Sequence, residues 1–225
     1  MAEGRIPLAR DGYPLIGGFG AAAIVAALVA WVTHGAISGA LEVLALACAI
    51  LAGFFVNFFR DPERVPPALP GAVISPADGK VIVVERDVDE PRFVKSRAAK
   101  ISVFMSPLDV HVNRAPIDGE IVGVHYNAGK YFAAYAEKAS LDNEQNAIVM
   151  RAEDGRGLAF VQIAGFLARR IVCRVKPGDR CRRGERVGMI KLGSRVDIFI
   201  PGNVDLSVKL GDRVRAGETV LGVLR

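Results

Sequence analysis

The sequence has few of the residues from which disulfide frameworks and metal centres are built. It contains only three cysteines and three histidines in 225 residues. Cys48 lies in a long apolar run, and Cys173 and Cys181 lack the close paired spacing of a zinc or redox motif. An odd and sparse cysteine count is typical of proteins in a reducing compartment. We therefore expect small buried thiols, and neither a disulfide framework nor a metal site.

Charge is almost missing from the first quarter of the chain. Residues 13–32 contain no charged side chain, and residues 35–59 contain only Glu42. Each run is long enough to cross a bilayer as a helix, which takes about 20 apolar residues. The short connection Thr33–Ala36 predicts a transmembrane helical hairpin. A cleaved signal peptide is the alternative for the first run, but a second run follows and no clear cleavage site separates them.

The flanking charges predict which side of the membrane the rest of the chain occupies. Arg5 and Arg10 precede the hairpin, and Arg60 and Arg64 follow it. Positive flanks favour the cytoplasmic side, so we expect a cell-membrane protein whose larger domain is cytoplasmic. Beyond residue 59 the chain has 27 basic and 21 acidic residues, since two arginines and three acids precede it. This modest positive excess suits binding to anionic lipid headgroups. The sequence has no dense basic patch with interleaved aromatic residues, so nothing in it indicates nucleic-acid binding.

Short runs rich in valine and isoleucine dominate the remainder. These runs predict a mainly antiparallel β domain over 71–225. It follows a membrane-anchoring hairpin over 1–59 and an extended proline-rich linker over 60–70. The whole chain is therefore expected to be of the α+β class. One stretch, Tyr131–Lys138, is predicted as a short helix. The predicted strands are Lys80–Glu85, Ile101–Met105, Glu120–Tyr126, Ala147–Arg151, Leu158–Ile163, Ile171–Val175, Val196–Ile200 and Asn203–Lys209.

An internal repeat lies near the C-terminus. Residues 175–187 match residues 208–220 at an offset of 33, with Gly-Asp and Gly-Glu at the same places in both copies. The pattern predicts two similar β-hairpins with tight glycine turns, as in lipoyl-like and barrel-sandwich folds. Such a repeat indicates architecture rather than chemistry.

Gly193-Ser194 lies between two strand-like runs. A Gly-Ser pair alone is typical of a turn, and the sequence around it is not a Gly-x-Ser-x-Gly elbow, so a serine hydrolase has no motif to support it. Its surroundings are more specific. From about residue 58 to the C-terminus the chain resembles the short form of the phosphatidylserine decarboxylase family, through several motifs in consistent order. These are Ser75–Val81 (SPADGKV), Met105–Pro116 (MSPLDVHVNRAP), Tyr126–Phe132 (YNAGKYF) with Asp142–Glu144, Ile163–Ile171 (IAGFLARRI) and Gly193–Asp197 (GSRVD).

The resemblance implies a self-cleaving, pyruvoyl-dependent enzyme. The Ser194 hydroxyl attacks the Gly193 carbonyl, the chain breaks between them, and residue 194 becomes a pyruvoyl group. A large chain of residues 1–193 and a small chain of residues 194–225 then form a heterodimer, and larger assemblies are compatible with the sequence. The pyruvoyl group is an electron sink that takes the place of pyridoxal phosphate. Through a Schiff base with it, phosphatidylserine from the membrane is decarboxylated to phosphatidylethanolamine.

The same resemblance gives roles to three further residues. His111 matches the histidine linked with decarboxylation, and an imidazole suits proton transfer near neutral pH; the alternative is a histidine hydrogen-bonded at a strand end. Asp78 matches the aspartate that assists self-cleavage, although Ala-Asp-Gly alone is a turn. Asp109 aligns with a motif carboxylate that orients a base, and its alternative is a solvated loop residue.

The base for self-cleavage is not identified. Long-form relatives have a second histidine three residues after the first, and here that position is Arg114. His125 is a candidate by residue type only, and a place on a strand face is the simpler expectation for it.

Three other functions stay open at this point. A decarboxylase of an ether-linked serine lipid would use the same residues. A membrane-tethered lipoyl-like binding module would account for the repeat but not for the other motifs. A membrane-bound serine peptidase using Ser194 has no recognisable partner motif.

Overall fold

A computed structural model describes residues 7–129, 143–165, 170–191 and 194–225. The chain divides into two compact units, residues 1–63 and residues 64–225. The division falls within the segment predicted as a linker. The helix predicted at Tyr131–Lys138 and the residue Gly193 lie outside the described residues.

The first unit is a pair of packed apolar helices, α1 (Tyr13–Val32) and α2 (Ala36–Phe58). Phe19 of α1 stacks on Phe55 of α2 with ring centroids 5.5 Å apart. The turn between the helices uses Gly35 at a φ of 73°, which a residue without a Cβ adopts easily. The predicted hairpin is therefore confirmed. By length and composition both helices could cross a membrane.

The second unit is a mainly antiparallel β structure, as predicted, and each of the eight predicted runs overlaps a strand. In the described part of the chain the strands are β1 (Ala72–Ile74), β2 (Gly79–Glu90), β3 (Ser96–Met105), β4 (Val112–Arg114), β5 (Gly119–Asn127), β6 (Gln145–Arg151), β7 (Gly157–Ala164), β8 (Ile171–Cys173), β9 (Arg180–Cys181), β10 (Arg186–Ile190), β11 (Ser194–Pro201), β12 (Val204–Leu206), β13 (Arg213–Val214) and β14 (Val220–Leu224).

These strands form one large sheet and two small ones. The eight-stranded sheet has the order β13-β2-β3-β11-β7-β6-β5-β9, and the three-stranded sheets have the orders β1-β14-β12 and β4-β10-β8. One face of the large sheet packs into the main hydrophobic core, where Val103, Phe160 and Val196 are fully buried. A smaller cluster around Val161 and Phe199 covers the other face.

The strand order reveals an internal duplication. We call residues 71–105 together with 194–225 the first half, and residues 112–190 the second half. Counted inward from its two edges, the large sheet has the same order of strands in both halves: β13, β2, β3 and β11 of the first half correspond to β9, β5, β6 and β7 of the second. The small sheets correspond in the same way, since β1-β14-β12 matches β4-β10-β8.

Two pairs of sequence segments account for this duplication. In the predicted repeat, Gly178 and Gly211 have φ of 93° and 94°, and each copy connects two strands that pair with each other, β8 with β10 and β12 with β14. The second pair is Ser75–Gly79 (SPADG) and Ala115–Gly119 (APIDG), a similarity that the sequence analysis had missed. Each loop accepts a backbone hydrogen bond from the second glycine of one repeat copy: Gly217 N donates to Ser75 O, and Gly184 N donates to Ala115 O, at 2.9 and 2.8 Å.

The chain passes between the halves twice. It leaves the first half through residues 106–111 and returns between Ile190 of β10 and Ser194 of β11. His111 and Asp109 lie on the first crossing, and Ser194 begins the strand that follows the second. The duplicated scaffold therefore places three of the predicted site residues where its symmetry is interrupted.

Candidate active site

Ser194 is the first residue of β11 and is fully buried. It lies between Met105 of β3 and Ala164 of β7 in the large sheet. Its hydroxyl donates to Met105 Sδ at 3.3 Å. A thioether is a weak acceptor, so this bond holds the Ser194 Oγ only loosely and leaves it able to turn toward a reacting carbonyl.

A buried amide network lies beside this serine, and sequence reasoning missed it. Gln162 Nε2 donates to Asn113 Oδ1, and Asn146 Nδ2 donates to Gln162 Oε1, both at 2.9 Å. Asn113 Nδ2 reaches Met105 Sδ at 3.9 Å. Satisfied buried networks of this kind fix side-chain positions. One signal was present in the sequence, because Asn113 belongs to the motif that contains His111.

His111 is fully buried immediately before β4. Its Nδ1 lies 2.9 Å from the Asp109 carbonyl oxygen. Because a carbonyl only accepts, this contact assigns the hydrogen to Nδ1 in the neutral ring and leaves Nε2 as the unprotonated nitrogen. Ile190 N donates to the His111 carbonyl at 3.3 Å, and the chain reaches Ser194 four residues after Ile190. The end of β10, from which the chain returns to the first half, thus lies beside His111.

Asp109 closes the turn that precedes His111. Its Oδ2 accepts from Ser106 N and Ser106 Oγ at 2.8 and 2.7 Å, and its Oδ1 accepts from Arg213 Nη1 at 2.8 Å. The side chain is 14% exposed. The carbonyl of Asp109, rather than its carboxylate, contacts the His111 ring, so Asp109 orients the imidazole through the backbone.

Asp78 is held by the second copy of the repeat. Its Oδ1 accepts from Ala216 N at 2.7 Å, and its Oδ2 accepts from Arg64 Nη2 at 3.0 Å. Burial raises the pKa of Asp78, and the charge of Asp109 acts in the same direction, whereas the Ala216 N–H and Arg64 oppose the shift. Asp78 and Asp109 are thus brought together. In the described structure the Ser194 hydroxyl bonds to Met105 instead of to either carboxylate.

The two other residues considered for a base occupy different surroundings. Arg114 is 3% exposed, and its Nη1 donates to the Gly184 carbonyl at 2.8 Å, so its guanidinium helps to hold the repeat. His125 lies on the exposed face of β5, with its ring centroid 5.8 Å from that of Phe93. The expectation of a strand-face histidine is confirmed.

An ion pair follows Ser194 directly on the opposite face of the sheet. Arg195 Nη2 donates to Asp197 Oδ2 and to Ser102 Oγ, both at 3.0 Å, and all three residues are buried. Removing one partner of a buried pair of this kind strongly destabilises the folded protein, because the other charge is left buried and uncompensated. It fixes the first residues of β11, and sequence analysis had not singled it out.

Comparison with known proteins identifies the family of the chain. The family model described as phosphatidylserine decarboxylase matches residues 51–222. The chain is 44% identical over 222 residues to the phosphatidylserine decarboxylase proenzyme of Desulfotalea psychrophila, with 99% of each chain covered. It is 44% identical to the proenzyme of Pelobacter propionicus, with 100% of both chains covered, and 45% identical to that of Nitrosomonas eutropha, with 97% and 95% covered. This chain therefore belongs to the phosphatidylserine decarboxylase family.

Proposed function

We propose that this protein decarboxylates phosphatidylserine to phosphatidylethanolamine with a pyruvoyl group formed from Ser194. The observation that carries the proposal is the position of Ser194, which is fully buried at the start of a central strand and directly follows the predicted cleavage site. The relatives that cover the whole chain are named proenzymes, which supports processing of the chain before it acts.

The cleavage balances as an internal acyl transfer. Ser194 Oγ forms an ester bond with the Gly193 carbonyl carbon, and the peptide bond between the two residues breaks. A base removes the α-proton of residue 194, and the ester oxygen leaves on Gly193 as a carboxylate. The resulting dehydroalanine takes up one water, loses ammonia and becomes the pyruvoyl group. The raised pKa of Asp78 suits a carboxyl group that exchanges protons during these steps.

The surroundings of Ser194 fit a small planar keto-amide. The strands on both sides hold the backbone of residue 194 extended, and the Asn113–Gln162 amides lie in the same buried region. When present, the group supplies an acceptor for the electron pair that remains after carbon dioxide leaves the substrate. His111 Nε2 first takes up a proton, which gives an imidazolium whose Nδ1–H stays bonded to the Asp109 carbonyl, and then delivers that proton to the carbon that lost the carboxylate.

The two products of cleavage should stay together. β11 pairs with β3 from Ser194 to Pro201 and with β7 from Ser194 to Phe199. The small chain, residues 194–225, therefore remains a central part of the sheet, and the large chain, residues 1–193, carries the helical hairpin.

For location, we propose that α1 and α2 span the cell membrane and leave the β unit in the cytoplasm. Arg10 before the hairpin and Arg60 after it support this orientation. A reporter fused to the C-terminus tests it, because a fluorescent protein that folds only in the cytoplasm should fluoresce. An alkaline phosphatase fusion that is active instead of the fluorescent one contradicts this orientation.

The test of the proposed activity compares two serines of the small chain. Ser194→Ala should remain a single 225-residue chain and form no phosphatidylethanolamine, whereas Ser207→Ala, which alters an exposed serine, should be cleaved and active. Intact mass spectrometry and product analysis with diacyl and ether-linked phosphatidylserine measure both properties and distinguish the two lipid classes. Decarboxylation by Ser194→Ala at the parental rate would disprove the proposed cofactor.

A further inference from the structure

Two exposed leucines occupy the tips of neighbouring turns beside the candidate site. Leu108 and Leu210 are each 67% exposed. They lie in the turns formed by residues 106–109 and 209–212, which we call the leucine turns. In each turn an aspartate at the fourth position accepts from the backbone N–H of the first: Asp109 from Ser106 at 2.8 Å, and Asp212 from Lys209 at 3.0 Å. Both leucines are therefore presented by closed and well-supported turns.

The leucine turns are joined through β13, at one edge of the large sheet. Arg213 follows the second turn directly, and its Nη1 donates to Asp109 Oδ1 of the first at 2.8 Å. Gly211 N, in the second turn, donates to the Val81 carbonyl of β2 at 2.9 Å. Since residues 106–109 lead directly into His111, the surface that carries the leucines is continuous with the crossing that holds this histidine.

The charge around the leucines has a small basic excess. Lys80, Lys209 and Arg213 are exposed, and Lys80 is paired with Arg213 across the two strands. The two acids of the same surface are engaged: Asp109 with Ser106 and Arg213, and Asp212 with the Lys209 N–H. Exposed apolar side chains with basic neighbours are typical of surfaces that enter the headgroup region of anionic bilayers.

The second half of the β unit lacks this combination at the equivalent positions. Pro177 stands where the first half has Leu210, and Glu120 stands where it has Lys80. Lys176 corresponds to Lys209, and its turn is closed in the same way, because Lys176 N donates to Asp179 Oδ2 at 2.9 Å. The fold therefore needs neither the leucine nor the extra basic charge to form this turn.

We propose that the leucine turns insert into the headgroup region of an anionic bilayer and hold the His111 crossing against the lipid surface. This inference rests on the proposed function, since it makes the bilayer the source of the lipid substrate. It identifies a second membrane contact, made by the β unit, in addition to the apolar helices.

A fluorescence measurement tests the insertion without relying on activity. Trp31 is the only tryptophan, so the full-length Trp31→Phe protein gives a dark background in vesicles that contain phosphatidylglycerol and brominated acyl chains. In that background, Leu210→Trp should be quenched by at least about half relative to vesicles without bromine, whereas the matched Pro177→Trp should keep its emission. Equal quenching at both positions, or none at position 210, overturns the proposal.

A kinetic comparison tests its consequence. The double variant Leu108→Ser/Leu210→Ser should lose about tenfold or more in turnover of phosphatidylserine in vesicles, because full burial of even one leucine side chain contributes about that factor to a surface contact. Its turnover of short-chain phosphatidylserine below the micelle concentration should match the parent. Lys209→Glu should reduce only the vesicle rate, and Lys176→Glu should leave both rates unchanged.

The outcomes separate the two hypotheses. Equal rates for the double variant and the parent on vesicles, or equal losses on both substrates, contradict the membrane contact while leaving the decarboxylase intact. A parent protein that decarboxylates neither substrate contradicts the proposed function, and the fluorescence experiment still decides whether the turns insert.

Discussion

The two halves of the β unit place an aspartate at the same point of the same loop but surround it differently. Asp78 accepts from Ala216 N at 2.7 Å, and Asp118 accepts from Arg183 N at 2.9 Å, 33 residues earlier in the repeat. The Asp78 side chain is 12% exposed and contacts Arg64 at 3.0 Å, whereas that of Asp118 is 68% exposed.

This difference separates architecture from chemistry. In both halves the aspartate accepts a hydrogen bond from a backbone N–H of the repeat. The aspartate of a Pro-x-Asp-Gly loop therefore has a structural role that does not depend on chemistry. Burial and the nearby Asp109 charge distinguish Asp78, and burial is the larger cause of its raised pKa. The duplicated scaffold thus provides Asp118 as an internal control for Asp78.

The largest expected effect concerns His111, which lies on the first crossing between the halves. His111→Asn retains a donor for the Asp109 carbonyl but has no imidazole to transfer a proton. We expect normal cleavage and a turnover number about 10²–10⁴ lower, measured by single-turnover assays on the processed enzyme. Turnover equal to that of the parent would remove His111 from the chemistry.

The pair of aspartates provides the next test. Asp78→Asn should slow self-cleavage by about tenfold or more, because it removes the titrating carboxyl beside the crossing while an amide oxygen can still accept from Ala216 N. Asp118→Asn should change the cleavage rate by less than about twofold, as expected for an exposed position. Time courses of chain cleavage after synthesis measure both rates, and similar slowing in both variants contradicts the assignment.

The third test concerns stability. Asp197→Ala leaves Arg195 buried without its carboxylate, so it should reduce the free energy of unfolding by about 3–5 kcal/mol. Denaturant titration in detergent measures the loss. Arg195→Met/Asp197→Leu should recover much of it, since no uncompensated charge remains. A single variant as stable as the parent would show that the pair does not fix the start of β11.

The two copies of the glycine turn should respond alike. Gly178 and Gly211 both have φ near 93–94°, and an added Cβ would meet no atom within 4 Å at either position. Gly178→Ala and Gly211→Ala should therefore each cost about 1 kcal/mol through backbone strain alone. Equal losses of stability confirm the equivalence of the halves, and a loss several times larger in one copy contradicts it.

The smallest effect is a pH dependence of stability. Because the pKa of Asp78 is raised above 3.8 in the folded protein, the folded state retains this proton at pH values where the unfolded chain has lost it. The free energy of unfolding of the uncleaved Ser194→Ala protein should therefore fall, relative to Ser194→Ala/Asp78→Asn, as the pH rises from about 3.8 through the folded pKa. Denaturant titrations at pH 4 and pH 7 measure the change, and a difference between the two proteins that is independent of pH excludes it.

The sequence predicted the features that depend on neighbouring residues. Continuous apolar runs predicted α1 and α2, and short runs rich in valine and isoleucine predicted the strands. The order of the family motifs predicted that Ser194, His111, Asp78 and Asp109 belong to one site; of these, the structure brings Asp78, Asp109 and His111 into one region.

The features that were missed depend on contacts between distant residues. Arg213 and Asp109 are 104 residues apart in the chain, and Ala216 and Asp78 are 138 apart. The duplication is visible in the sequence as two Pro-x-Asp-Gly loops, but only the strand pairing shows that they are equivalent. Burial of the Arg195–Asp197 pair likewise depends on which strands cover that face of the sheet, and local patterns do not carry this information.

The most direct test of the central claim is a trapping experiment on the wild-type protein. With phosphatidylserine and cyanoborohydride present, intact mass spectrometry should find the chain of residues 194–225 with a keto terminus in the untreated sample and with a covalently attached lipid amine after reduction. An unbroken chain of 225 residues that decarboxylates the lipid without trapping it would contradict the account.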